Sequence, residues 1–429
     1  MNDKLTHKVL RPLTAVMTAA FFAASVMVVS PLYAADGSSV DAHMSNKVQW
    51  AQWVLTQVEK QPGQQALIER RIASDFDRQA NSQPLYNPTL DLDYSDKVDE
   101  EYGIAVSQTI DWSGKQGASS VLASASFARD NEEIAQAKQA ALADALNALI
   151  EFDAAQTLMS VAQQQDEILT DLGHVIAKRQ QAGDLGQLDV ELGYLSLSES
   201  LQNIGDVESA YYQAQAALKD ALAVEAPAVS LPSNTLWQQS IPTGALAIGV
   251  EKNADVALAR QLMMQSQAQA ELARLNKKVD PTLGFGVGKD GDDDVLGFRL
   301  SIPLNFRNTY SAEHEAAQRR VLERELLWRD TARRTKNALV QKRDTYMQYT
   351  KRWQRWESLT NKRINRSEIL LRKQWQAGDI STSDYLFALQ QRADAITAGI
   401  SLQTAMKKSW VSWLLATGQV DRWLSALNS

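Results

Sequence analysis

The phrase QAGDLGQLDV at 181–190 returns as QAGDISTSDY at 376–385, and it is one of a set. NPTLDLDY at 87–94 is answered by DPTLGFGV at 280–287, and IAVSQTIDWSGK at 104–115 by FRLSIPLNFRNT at 298–309. Each pair precedes a long proline-free stretch, then the QAGD phrase, then a further helical stretch, with an offset near 194 residues throughout. Order and spacing that persist together mean duplication. The chain is therefore expected to fold as two structural repeats, 47–224 and 245–420. A Pro- and Ser-bearing linker at 225–244 joins them, a flexible segment at 35–46 precedes them, and a tail at 421–429 follows.

Each repeat carries two short segments in which apolar and polar residues alternate with period two. Leu90, Leu92 and Tyr94 alternate with Asp91 and Asp93, and Ile104, Val106, Ile110 and Trp112 with Ser107, Thr109 and Asp111. Further on, Phe298, Leu300, Ile302, Leu304 and Phe306 alternate with Arg299, Ser301 and Asn305. The expected strands are 87–94, 102–112, 282–288 and 295–306. Their length, about 8 to 11 residues, suits a tilted strand crossing a bilayer. A half-buried sheet in a soluble sandwich would alternate in the same way, so the compartment has to decide.

The N-terminus points to export. Lys4, Lys8 and Arg11 precede an uncharged apolar run from Leu13 to Val29, and PLYA ends at Ala34 among small residues. This pattern predicts a signal peptide over 1–34; an N-terminal membrane anchor is the alternative. Removing 1–34 takes the formal charge from −7 to about −9, a poor balance for binding nucleic acid. Cysteine is absent, which excludes disulfide staples, thiolate chemistry and a Cys-lipidated N-terminus. No later apolar run reaches the roughly 18 residues of a membrane helix, so any passage through a bilayer must be by β-barrel. Four strands cannot close one, since the smallest membrane barrels have about eight, and open edges cannot sit in lipid. The barrel must be shared between subunits, and a homotrimer would supply about twelve strands.

Between strands and QAGD phrases lie stretches from about Gly117 to Gln181 and from about Ser311 to Trp375. As helices each would extend close to ~100 Å at about 1.5 Å per residue, too long for a compact domain. The first is rich in alanine, which suits close coiled-coil-like packing. It favours acids such as Asp130, Glu133, Glu151 and Asp153, whereas the second carries Arg319, Arg320, Arg324, Arg329, Arg333, Arg334 and further bases. Solvated faces explain such runs, and pairing between the unlike repeats is the sharper expectation. The fold class is mainly α with a small β part: two strands and a long helical hairpin per repeat.

Gly183 and Gly378 stand where a helix must end, in the left-handed conformation glycine adopts without steric cost. Ser381 with Asp384, and Gly186 with Asp189, have the spacing of an N-cap and its third helical residue. Each phrase is thus a tight helix–helix turn, the free tip of a hairpin.

These elements together resemble the TolC-type outer-membrane efflux proteins over essentially the whole mature sequence. The resemblance rests on the duplicated PTL strands, on QTIDWSGKQGA and LSIPLNFRN after them, and on AGD with an Asp six residues after the Gly in both halves. The absent lipidation Cys and the SIPL wording look most like the branch serving heavy-metal exporters of the resistance-nodulation-division (RND) type. The resemblance implies a homotrimer with a 12-stranded barrel in the outer membrane of a Gram-negative bacterium and an α-helical tunnel in the periplasm. It implies docking of the tips, 182–185 and 377–380 (Gly183, Asp184, Leu185, Gly378, Asp379, Ile380), onto a periplasmic membrane-fusion adaptor and an inner-membrane RND-type pump. It also implies that acidic residues past the second tip constrict the entrance, which matches Asp384, with Asp189 its counterpart. Three positions beyond Asp384, where the family has a second acid, this chain has Phe387. The exit duct of a type I protein-secretion system, or a periplasmic coiled-coil adaptor or scaffold, are the alternative functions.

Other candidates are weaker. His7, His43, His174 and His314 are scattered without zinc-ligand spacing. KDGDDD at 289–294 lacks the EF-hand register, since Ser301 stands where its last ligand belongs, and it is expected to be a solvated hairpin loop, as is SDKVDEE at 95–101. Trp353 with Trp356 and Trp410 with Trp413 suit helix packing. No nucleophile–base pair, phosphate loop or catalytic carboxylate pair is found, so neither an enzyme nor a cofactor is expected.

Overall fold

A computed structural model describes residues 38–96, 100–184, 186–242 and 244–427. The segment 1–34, expected to be a signal peptide, and the tip residue Leu185 lie outside them. The chain divides after Ala42, and His43–Ser429 forms the main unit. Residues 38–46, for which the sequence predicts a flexible segment, are instead helical within α1 (Ser38–Glu59). A break at Gln61–Pro62 starts α2 (Pro62–Ala80), with proline where the first turn needs no N–H donor.

Strands β1 (Thr89–Asp96), β2 (Glu100–Thr109), β3 (Thr282–Asp290) and β4 (Asp293–Ser301) form one antiparallel sheet in the order β1-β2-β3-β4. The bounds differ from expectation: β2 stops before Ile110 and Trp112, and β4 before Ile302, Leu304 and Phe306. Alternation continues past the ladder because it records which side chains stay exposed, whereas strand pairing needs N–H groups, and Pro303 has none. KDGDDD is the solvated hairpin that the sequence leads one to expect, with its loop cut to two residues. Lys289 and Asp290 end β3, Asp293 and Asp294 begin β4, and Gly291 at φ +60° opens a two-residue turn. Asp290 and Asp293 face each other across it.

From β2 the chain enters α3 (Lys115–Ala182), 68 residues without a break. Asp111 starts it, accepting the N–H groups of Lys115 and Gln116 at 2.9 and 2.7 Å. Then come α4 (Gln187–Leu222), a 3₁₀ turn at Asn234–Trp237, α5 (Ala245–Lys252) and α6 (Ala254–Leu275). The counterpart of α3 is interrupted, contrary to expectation: α7 (Ser311–Trp356) passes through a π-helical turn at Glu357–Asn361 into α8 (Lys362–Ala377). The chain closes with α9 (Thr382–Ala416) and α10 (Val420–Ala426), so the expected tail is helical up to Ala426.

Next to the sheet the helices pack side by side as α2, α3, α6 and α7. Further along, α3 carries α4 and meets α9, and α9 carries α7 and α8. The main core lies between these levels. Trp50 and Trp237 are fully buried edge to face at 5.9 Å, with Trp423 against both and Trp410 against Trp423. Trp237 belongs to the linker, which is therefore pinned rather than loose. Tyr346 fixes it further, accepting the Gln239 N–H at 2.7 Å and lying within donor distance of the Trp237 and Gln239 carbonyls. A second core at the far end contains Leu169, Leu172, Ile176, Val190, Trp375, Tyr385, Leu386 and Leu389.

Candidate channel face and hairpin tips

Both tips close by the same backbone device. Gly183 has φ +77° and Gly378 φ +80°. Asp184 N–H reaches Arg179 O at 2.9 Å and Gly183 N–H reaches Gln180 O at 3.1 Å; Asp379 to Gln374 and Gly378 to Trp375 repeat these bonds at 2.9 and 3.1 Å. This is the Schellman pattern, which satisfies helix-end carbonyls by turning one residue left-handed. Gly183, Asp184, Gly378 and Asp379 are exposed, while Ile380 is half-buried against the far core.

The two restarts differ. At the second tip the Ser381 hydroxyl accepts the Asp384 N–H at 3.0 Å and donates to the Asp384 carboxylate at 2.7 Å, a closed cap. At the first, Gly186 is the N-cap, as its spacing from Asp189 predicts, but it offers no side-chain acceptor. Asp189 sits exposed in the first turn of α4. Asp384 and Phe387 are exposed on one face of α9, with Phe387 at 66%, while Tyr385, Leu386 and Leu389 turn into the core.

The residues that join the two hairpins at this end are not the ones the sequence singles out. Trp375 lies parallel to Tyr385, with ring centroids 4.9 Å apart and 8° between planes. The Arg179 guanidinium covers Trp375 at 5.3 Å, and the indole N–H donates to Thr382 Oγ1 at 3.3 Å. Thus α3, α8 and α9 meet through one stack. Its signal was available: Trp375 and Tyr385 flank the second glycine turn.

At the other end the sheet separates two chemistries. In register across the strands run Leu90–Val106–Phe285–Phe298 and Leu92–Ile104–Val287–Leu296, all exposed. The opposite face carries Thr89–Ser107–Gly284–Arg299 and Asp91–Ala105–Gly286–Gly297. It is crowded: a Cβ added at Gly286 would lie 2.9 Å from Ala105 Cβ, and one at Gly288 2.6 Å from Tyr102 O. Small residues thus let the polar face close in on itself while the large apolar side chains spread over the other. Trp112, 66% exposed just below the sheet, donates its indole N–H to Val279 O at 2.8 Å.

Every level ends in unpartnered edges. In the sheet these are β1 and β4. In the adjoining helical layer they are α2, which exposes Ile68, Ile72 and Phe76, and α7, which exposes Leu322 and Leu326. Near the tips α4 exposes Leu188, Leu192 and Leu195, and α8 exposes Ile369 and Leu370. Charges between the repeats pair through α9: Lys407 with Asp153 at 3.2 Å, and Lys408 with Glu151. Arg329, Arg333, Arg334 and Arg343 pair instead within α7. Among the described residues these four arginines make no cross-repeat ion pair, because carboxylates one turn away, or next in sequence for Arg343, are nearer.

Among the described residues no group of three or more His, Cys, Asp or Glu is placed to hold a metal, and no helix is long and apolar enough to cross a membrane. By sequence the chain matches no family model and no curated protein. Its fold does match solved structures over most of its length. CusC, studied for the conformational changes that accompany folding and transmembrane channel formation, superposes with a TM-score of 0.71 at 14% identity, covering 86% of this chain and 92% of CusC. The Neisseria gonorrhoeae MtrE outer membrane channel, in its open state, gives 0.70 at 16% identity, covering 87% and 89%. The Campylobacter jejuni CmeC outer membrane channel gives 0.69 at 11% identity, covering 88% and 85%. The fold is that of these channels.

Proposed function

We propose that the protein is the outer-membrane channel-tunnel of a tripartite efflux system, a passive duct through which solutes leave after an inner-membrane pump has energised their transport. The observation that carries this is the run of open edges in the same order at every level. The free edge of β1 can pair antiparallel with the β4 of another copy, and the apolar stripe of α2 is free to meet another α7. Copies joined head to tail close a ring when the rotation returns to its start. Three copies give about twelve strands, enough for a membrane barrel with its edges sealed. The Leu90–Phe298 and Leu92–Leu296 rows then face lipid, the Asp-, Ser- and Gly-bearing face lines water, and Trp112 anchors at the interface.

In this arrangement the long helices form the periplasmic tunnel. The tips at Gly183, Asp184 and Leu185 and at Gly378, Asp379 and Ile380 meet a periplasmic adaptor, with an RND-type pump beneath. Asp384 and Asp189 are the entrance candidates. The chemistry of the cargo lies with the pump; the sequence wording favours heavy-metal cations among its substrates. The test is direct. Outer-membrane fractions should contain a heat-modifiable trimer that forms channels in planar bilayers, and crosslinkers at Asp184 and Ile380 should capture an adaptor in cells. A monomer in the soluble periplasmic fraction would refute the proposal.

A further inference from the structure

Where the sheet gives way to the helices, the exposed face changes chemistry in a fixed order. The apolar strand rows end in Ile110 and Ile302, and past them come the exposed Trp112, Leu304 and Phe306. Next are Lys277, Lys278 and Arg307, exposed as well. Hydrogen bonds hold this order. Ile110 N–H donates to Pro281 O at 2.9 Å, Trp112 Nε1 to Val279 O at 2.8 Å, and Lys115 Nζ to Lys278 O at 2.8 Å. Asn305 Nδ2 lies 3.4 Å from Lys277 O, which brings Phe306 and Arg307 beside the lysines. Trp112 follows β2 and the lysines precede β3, the two central strands, so a second copy at the β1 or β4 edge leaves them uncovered.

The three cations are not spent on the carboxylates nearby. Asp280 is held by Lys115, and Asp111 by the start of α3. Arg274 holds Glu271 at 2.6 Å, and that bond, with Lys278 close by, lowers the Glu271 pKa. Glu313 lies in the first turn of α7, where the helix N-terminus favours it. Among the described residues Lys277, Lys278 and Arg307 form no ion pair. A bilayer presents the same succession: hydrocarbon, an interfacial layer that takes indole rings, then charged headgroups. Lysine and arginine stems run along apolar surface while their charged ends stay in water, so these side chains reach phosphate from beside an aromatic belt.

We propose that Lys277, Lys278 and Arg307 form a binding site for the phosphodiester headgroups of anionic phospholipids in the periplasmic leaflet of the outer membrane. This rests on the proposed function for placing the sheet in that membrane, but the lipid preference is measurable without transport. Arg307 can offer a phosphate two N–H groups, and the lysines supply compact charge. Each base near an anionic surface strengthens binding by about fivefold, so the three favour an anionic over a zwitterionic headgroup by about a hundredfold per subunit. The site fixes the depth at which the sheet sits, with the helical layer starting at the phosphates.

Native mass spectrometry of the purified full-length protein in neutral detergent reads the preference. The probes are phosphatidylglycerol and phosphatidylcholine with the same acyl chains, in equal amounts. Phosphatidylglycerol should be retained at least about tenfold over phosphatidylcholine, fading as ionic strength rises from about 0.05 to 0.5 M. Replacing Lys277, Lys278 and Arg307 together by Gln should abolish the preference and leave phosphatidylcholine binding intact. Lys277→Arg with Lys278→Arg should keep it, as should Arg319→Gln with Arg320→Gln, which removes two exposed cations further along α7. The salt series uses the unaltered protein and so stands even if the triple variant does not fold. Equal retention of the two lipids, a preference indifferent to salt, or one unchanged in the triple variant would overturn the site. Displacement of phosphatidylglycerol by an equal concentration of inorganic phosphate would also overturn it, since the site would then serve free anions. A channel-forming trimer without the preference refutes the headgroup site and leaves the channel standing. A soluble monomer that keeps the preference upholds the site and overturns the channel.

Discussion

Lys115 and Asp280 meet at 2.8 Å where α3 and β3 begin, joining the two halves of the chain at the base of the sheet. The Asp280 side chain is 3% exposed, and it also accepts Tyr86 Oη at 3.0 Å and Ser113 Oγ at 2.9 Å. Burial pushes its pKa up, but the hydrogen bonds from Lys115, Ser113 and Tyr86 outweigh burial and hold it below the ordinary value. A depressed carboxyl contributes stability that is present above its unfolded pKa, about 3.9, and lost as pH falls through the folded one. Asp280→Asn removes the carboxylate that partners the half-buried Lys115, leaving its ammonium only the Lys278 carbonyl at 2.8 Å, and should cost about 3 kcal/mol at pH 7. The difference in melting temperature between the two proteins should shrink from about pH 4 downward. A constant difference to the acid limit would show that the charge on Asp280 is irrelevant.

The two sheet faces predict opposite responses to the same side chain. Leu296→Arg puts a charge in the middle of an apolar row and should cost about 2–4 kcal/mol if that row faces the bilayer midplane, with loss of assembled trimer. Ser301→Arg, on the polar face, should assemble normally. Gly288→Ala should also fail, though by steric contact with Tyr102 O rather than by polarity. Heat-modifiability on gels separates these outcomes, and equal damage from Leu296→Arg and Ser301→Arg would end the lipid-facing assignment.

The sequence carries these features unevenly, and the reasons are physical. Glycine turns at 183 and 378 are legible because few other residues accept a positive φ. Strand faces are legible because alternation follows side-chain direction, but strand ends are not, since Leu304 and Phe306 stay exposed beyond the last ladder bond. The π turn at ESLTN has neither Pro nor Gly to mark it. In the Arg179–Trp375–Tyr385 stack, the two rings flank a legible glycine turn, but Arg179 comes from the other repeat and no local period announces it. The pinning of Trp237 is likewise a tertiary event inside a segment whose prolines and serines signal a linker.

Lys407 is a buried charge whose removal should help rather than harm. Its side chain is 5% exposed, with Asp153 as partner at 3.2 Å, and that carboxylate is 40% exposed. Burial lowers the ammonium pKa more than Asp153 raises it. A lysine depressed in this way costs stability while both states hold the proton. That cost fades as pH rises through the folded pKa toward the unfolded value near 10.4. Lys407→Met, with Asp153 left in water, should match or exceed the native melting temperature at pH 7, and its advantage should shrink toward pH 10. A large drop at pH 7 would mean that the pair stabilises the α3–α9 contact after all.

Asp384 has two possible roles, and the Ser381 cap makes them separable. The cap needs the serine hydroxyl as acceptor, so Ser381→Ala should cost about 1 kcal/mol locally while leaving the carboxylate charged. Asp384→Asn keeps a side chain of the same shape but removes the charge. If three copies of Asp384 converge on the tunnel axis, their field favours cations and invites block by multivalent ones. Conductance of purified trimers in planar bilayers, with and without a trivalent cation on the periplasmic side, distinguishes the cases. An entrance ring requires Asp384→Asn alone to lower cation preference and relieve block, with Ser381→Ala and Asp189→Asn unchanged. If Asp384→Asn and Ser381→Ala shift melting alike and neither moves selectivity, Asp384 serves the helix start, and the exposed Phe387 one turn further on is the side chain left to narrow the entrance.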